Sequence, residues 1–136
     1  MEYSTVLTRT ATPWLPVSGD FPHENVVNLE ADARSILNLY RELVSLRKRL
    51  PALVTGAYMP IAAQGDLLLY RRQSEGGAVV IALNLGDEPV SIASDAAGLR
   101  GEILLSTLLD RAGEKVRGAL DLRGNEGVMI GRSATA

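Results

Sequence analysis

The sequence predicts a mainly β fold: an antiparallel β-sandwich, Greek-key-like, preceded by one long amphipathic α-helix and an irregular N-terminal loop. Three observations carry this. Ala31 to Leu53 (ADARSILNLYRELVSLRKRLPAL) is the one long stretch with a helical period. Everything after Pro51 breaks into short apolar runs separated by turn residues. The chain before the helix has no period and holds prolines at positions 13, 16 and 22. Three segments follow: an irregular stretch over 1–30, a helix over 31–50, and an antiparallel β domain over 51–136.

In order, Met1 to Ala11 is polar and threonine-rich, and Thr12 to Val17 (TPWLPV) is extended or turning. Ser18 to Glu24 continues as loop, and Val26, Val27 and Leu29 begin a short helical turn. Placed at ~100° per residue, the long helix gathers Ile36, Leu37, Leu39, Tyr40, Leu43, Val44, Leu46 and Leu50 on one side. Arg47 falls in the middle of that side. The apolar arc covers about half the circumference, wider than a helix on one surface needs, so two neighbours are expected. Asp32 is the expected N-cap, Arg47, Lys48 and Arg49 suit the C-terminal dipole, and Pro51 ends the helix.

Beyond it, Gly56 to Ala63 is an edge or bulged strand because of Pro60. Gln64-Gly65-Asp66 turns into Leu67 to Arg72, and Ser74 to Gly77 is a hairpin turn. Ala78 to Asn84 (AVVIALN) is apolar almost throughout, which marks a central strand covered on both faces. Strands are then expected from Pro89 to Ile92, from Gly101, over Ala119 to Leu122 and over Gly127 to Ile130. Ser94 to Gly98 is read as loop, Asp110 to Gly118 as a polar excursion, and Ser133 to Ala136 as a frayed tail. The expected sheet content is roughly six to eight strands.

Composition narrows the function classes. The 136 residues suffice for one domain with a core. Without cysteine there is no disulfide framework, thiolate metal site or cysteine nucleophile, which fits a reducing, cytoplasmic setting. The net charge of −2, with both signs mixed, suggests no nucleic-acid surface. No apolar run approaches the ~20 residues of a membrane span, and Met1 to Leu15 lacks the pattern of a secretory signal. His23 is the only histidine, and no G-x-S-x-G turn accompanies it, so it reads as a surface loop residue. No metal-ligand spacing and no phosphate-binding loop appears, so no cofactor is expected. Carboxylates such as Asp66, Asp87, Glu88, Asp110 and Glu114 lie at turns and element ends, with no spacing that selects an acid and a base. Arg47 on an apolar face can snorkel or pair with a buried carboxylate; a structural ion pair is the expected role, and ligand binding is the alternative.

Several stretches together resemble one family. Thr12 to Val17 is similar to the PWLPV loop of α-amylase-type glycoside hydrolases, in the α-glucosidase and oligo-1,6-glucosidase branch. The helix matches that family's segment before its C-terminal domain: Asp32 and Ser35, then Leu37, Tyr40, Arg41, Leu43, Leu46 and Arg47, then Leu50 to Leu53. Gly56 to Tyr58 resembles the following G-x-Y. Ala82 to Val90 (ALNLGDEPV) resembles V-x-N-F-S-D-E-P-V, and Leu104 to Thr107 and Leu122 to Val128 (LRGNEGV) resemble its late strands.

The resemblance implies the last loop and helix of a (β/α)₈ barrel plus the all-β C-terminal domain. A barrel needs ~250 residues, and the family's catalytic carboxylates precede the segment corresponding to Thr12. No catalytic residue is carried over, and this chain is expected to be inactive alone. Trp14 is implied as a sugar-subsite or interface residue of a whole enzyme, one that takes an α-glucan or oligosaccharide; Ser18 and Gly19 depart from the family's Asn-Pro pair at that loop. The implied role is to pack on and stabilise a barrel. Two alternatives remain: an independent carbohydrate-binding module, with Tyr58 and Tyr70 as its candidate aromatics although core packing explains them better, or a protein that self-associates through the helix and N-terminal loop.

Overall fold

The computed structural model describes residues 14–93 and 99–131. The threonine-rich start, the 94–98 loop and the 133–136 tail lie outside the described residues. The chain divides into two compact units, Met1–Tyr40 and Arg41–Ala136.

In the first unit the short helical turn is α1, Val26–Ala31, capped by the Asn25 side chain, which accepts from the Asn28 amide at 3.0 Å. The long helix α2 runs Ile36–Arg49. Its N-cap is Ser35, three residues later than expected from the sequence. Ser35 Oγ accepts from the Asn38 amide at 3.2 Å and donates to the Leu29 carbonyl at 2.5 Å. Asp32 instead closes α1, and its carboxylate accepts from the Arg34 amide at 2.9 Å. Both residues can cap a helix; Ser35 prevails because its hydroxyl also satisfies a carbonyl at the end of α1. Asn38 ties the same corner, donating to the Leu29, Glu30 and Asp32 carbonyls at 3.2, 3.3 and 2.7 Å.

The second unit begins within α2. Leu50 has extended geometry (φ −112°, ψ 100°) ahead of Pro51, and Pro51–Leu53 form a 3₁₀ turn. Eight strands follow: β1 Ala57–Gln64, β2 Leu67–Ser74, β3 Gly77–Asn84, β4 Val90–Ala93, β5 Gly101–Ser106, β6 Lys115–Val116, β7 Ala119–Leu122 and β8 Gly127–Gly131. Six form an antiparallel sheet in the order β1-β2-β3-β8-β5-β6; β4 and β7 form a second, two-stranded ladder. β1 lies at the edge and its register shifts between Pro60 and Ala62, so the proline is accommodated by both devices open to it. The β1–β2 turn uses Gly65 at φ 55°. The strand β6, within the polar excursion, pairs through only two residues, too few to leave a pattern in the sequence.

The arrangement is sandwich-like. One sheet face supplies Leu69, Val80, Ala82, Ile103, Val128 and Ile130, and the β4–β7 ladder supplies Leu120 and Leu122, with Val90 and Ile92 packed beside them. The opposite face is served by a smaller core of Ala52, Val79 and Ile81, with Leu50, Leu53, Tyr70, Leu83 and Met129 against it. Two faces with buried apolar residues explain why Val79 to Ala82 are all buried and why β3 shows no alternation.

At one end of the sheet two turns are locked together. The buried Asn84 side chain donates to the Glu88 carbonyl at 2.7 Å and the Arg123 carbonyl at 3.0 Å. Its own oxygen accepts from the Gly86 amide at 3.2 Å, and the Asn125 amide donates to the Gly86 carbonyl at 2.7 Å. Gly124 permits this approach, since a Cβ there would stand 1.9 Å from the Asp87 carbonyl oxygen. Gly124→Ala should therefore force two backbones apart and lower stability by roughly 1–3 kcal/mol. A urea midpoint equal to that of the unsubstituted chain would show that the turns are not locked.

Candidate functional site

The densest group of ionisable residues lies beside this junction, where the β7–β8 turn meets the loop after β5. Glu126 is its centre, with a fully buried side chain. A carboxylate without water must have its lone pairs filled by protein donors. Five donors reach it: Ser106 Oγ at 2.9 Å and Arg123 Nη2 at 2.7 Å on one oxygen, and the Arg123 amide at 2.9 Å, Arg123 Nε at 3.2 Å and Arg111 Nη1 at 3.2 Å on the other.

Each arginine is then held by a second acid. Arg123 forks onto Asp110 at 2.8 and 2.7 Å, and Arg111 onto Glu114 at 2.8 and 2.7 Å, with Arg111 also donating to the Asp121 carbonyl at 2.8 Å. Two non-glycine residues with positive φ flank the network: Leu109 at 57° before Asp110, and Asn125 at 55° before Glu126. For leucine that conformation is uncommon, and here it turns the chain so that Asp110 meets Arg123.

The electrostatics follow from this geometry. Burial alone would raise the Glu126 pKa, but the Arg123 side chain and amide, Ser106 and Arg111 outweigh it and bring the group from 4.5 to about 2. Glu114 is lowered chiefly by its hydrogen bonds to Arg111, and Arg111 is raised by the same pair. Arg123 is raised by Asp110 first and Glu126 second. Glu126 is thus ionised at neutral pH with every lone pair occupied, and has no proton to give. The arrangement fastens two loops and a strand; it does not present an acid or a base.

The residues singled out in the sequence stand elsewhere. Trp14 is 92% exposed. Arg47 is exposed and its guanidinium donates to the Leu53 carbonyl at 2.9 Å, closing the C-terminal end of α2; its partner is a carbonyl where the sequence suggested a carboxylate. His23 is exposed in the loop before α1. Tyr58 and Tyr70 do meet, with ring centroids 5.2 Å apart and planes 38° apart, but Tyr70 packs on the smaller core while Tyr58 is 55% exposed. Among the described residues no group of histidine or acidic side chains is placed to hold a metal, and no helix is long and apolar enough to cross a membrane.

Sequence reasoning missed Glu126, because R-G-N-E-G reads as a solvated turn. The available signal was an acid directly before a short apolar strand, with an arginine three residues earlier.

The model of a family described as a domain of unknown function, DUF3459, matches residues 57–127. A salivary alpha-glucosidase of Aedes aegypti is 32% identical over 112 residues, covering 81% of this chain and 17% of that protein. A probable alpha-glucosidase of Rhizobium meliloti (strain 1021) is 35% identical over 79 residues, covering 58% of this chain and 14% of the other. The structure of the trehalulose synthase MutB from Pseudomonas mesoacidophila MX-45 superposes with a TM-score of 0.75 at 26% identity, over 90% of this chain and 22% of the synthase. The chain therefore spans about a fifth or less of the proteins it matches.

The network predicts a defined acid response. Because the folded pKa of Glu126 lies below its unfolded value, its contribution is fully present above pH 4.5 and is lost as pH falls towards 2. Glu126→Gln should be less stable than the native chain by roughly 2–3 kcal/mol at pH 7, and that difference should shrink between pH 4.5 and 2. Urea midpoints for both chains across this range test it; a difference that does not change with pH would refute the assignment.

Proposed function

The chain belongs to the DUF3459 family, the C-terminal domain of α-amylase-family glucosidases, and from that premise we propose that it is a non-catalytic domain that packs on and stabilises a (β/α)₈ barrel. The observation that carries this is coverage: the chain matches 17% of one α-glucosidase and 14% of another, and the family model matches it over residues 57–127. The state of the acids supports it. Glycoside hydrolysis needs one carboxyl that can donate a proton and a second placed to act as base or nucleophile. Glu126 is enclosed and deprotonated, and Asp110 and Glu114 are each taken up by an arginine fork. In a whole enzyme the substrate class would be an α-glucoside, by analogy with the names of the relatives.

A second reading, self-association through α2 and the N-terminal loop, draws on the exposure of Trp14, Leu15, Val17, Val26, Val27, Ile36 and Tyr40. It predicts a mass by light scattering that rises with concentration; a monomer throughout would dismiss it.

For the principal reading, the purified chain is expected to release no nitrophenol from an aryl α-glucoside and no glucose from maltose above the rate in buffer. Turnover that persists through purification would overturn it.

A further inference from the structure

We propose that the sheet face carrying Tyr58, Tyr70 and Arg72 is the surface that meets the barrel, and that Arg72 receives a carboxylate from it there. This rests on the reading of the chain as a barrel-packing domain. The two faces of the six-stranded sheet differ. One is roofed by the β4–β7 ladder, whereas the other is covered by the turn at Leu50 to Leu53, with large apolar residues left over. Tyr58 is 55% exposed, and Leu85, two residues on from the half-buried Leu83, is 64% exposed. A sheet face of this composition needs a second layer.

Arg72 lies directly across from Tyr58 in the β1–β2 register and across from Val79 in β3. Its Nε donates to the Ala52 carbonyl at 3.3 Å, which fixes the plane of the guanidinium. Among the described residues its two terminal nitrogens have no acceptor, and neither do the hydroxyls of Tyr58 and Tyr70. The result is an oriented, half-buried fork beside two aromatic rings, the residue types that dominate protein interfaces. Covering this face would strip water from an unpaired cation. The chemistry that offsets that loss is a carboxylate presented to both terminal nitrogens.

The choice of occupant follows from the ladder rows and the chain path. The rows of this face hold Tyr58–Arg72–Val79, Pro60–Tyr70–Ile81–Met129 and Ala63–Leu68–Leu83, and Glu102, on the same face in β5, is already paired with Lys115. The chain leaves α2 and passes through Leu50 to Leu53 straight onto this face, so whatever packs on the end of α2 lies next to it.

The test mixes this chain with the barrel portion of the Rhizobium meliloti relative, produced without its own matching segment. Binding is followed by calorimetry and by hydrogen exchange. The expected result is a complex in which amides of β1 and β2 around Tyr58, Tyr70 and Arg72 gain protection while β4 and β7 do not. Arg72→Ala should weaken it about tenfold, with an unchanged urea midpoint of the free chain as the control for folding. Binding with protection elsewhere, or unaffected by Arg72→Ala, would overturn this inference and leave the barrel-packing reading intact. Absence of any complex, with the barrel portion shown folded by circular dichroism and cooperative unfolding, would overturn both. A homodimer of this chain that Arg72→Ala dissolves would assign the face to a second copy and refute the proposal.

Discussion

The β unit depends on one buried charge. Glu126 sits where β7 turns into β8, and β8 is the strand that joins the β1-β2-β3 meander to β5. A carboxylate in that position is tolerated because five donors converge on it. Those donors come from three separate places: the end of β5 through Ser106, the following loop through Arg111, and the β7–β8 turn itself through Arg123. Each arginine then carries a second acid, so the charges cancel locally while joining segments distant in sequence. Removing one partner leaves an uncompensated buried ion, a larger loss than the pair's net contribution. The uncommon backbone at Leu109 and Asn125 belongs to the same lock, since both residues direct an acid towards Arg123 or its neighbours.

The lock has a functional consequence. It uses up the acids that might otherwise have suggested chemistry, and it holds the six-stranded sheet closed at the Asn84–Arg123 end. The Asn84 side chain and the absent Cβ of Gly124 bring the two turns there into contact. What the β unit offers outward is then a surface. One sheet face is spent on its own second layer, and the other carries aromatic residues and Arg72, whose terminal nitrogens have no acceptor among the described residues.

Much of this was legible in the residues. Pro60 in a β-like run could only be an edge or a bulge, and it is both. The unbroken apolar run of β3 required cover on both faces, and two cores provide it. Pro51 ended α2 and left Leu50 extended. The misreadings share a cause: each turned on a contact that local pattern does not encode. Asp32 and Ser35 are both good caps, and the choice between them is made by the Leu29 carbonyl six residues back from Ser35. Arg47 looked like a buried cation because its helix position is apolar, yet its reach carries the guanidinium out to a carbonyl at the helix end. Glu126 drew no notice because its neighbours are turn residues, and its burial depends on Arg111, fifteen residues earlier, and on Ser106, twenty residues earlier.

If the buried carboxylate holds the unit together, the turn around it must be as hard to open as the strands. Native-state hydrogen exchange of the amides of Arg123, Asn125 and Gly127 measures this directly, since each donates within the junction, to Glu126, Gly86 and Thr107 respectively. The prediction is that they exchange only through global unfolding, with the same free energy and denaturant dependence as amides of β3. Exchange of these three by local opening, well below the free energy of β3, would contradict the central place given to Glu126.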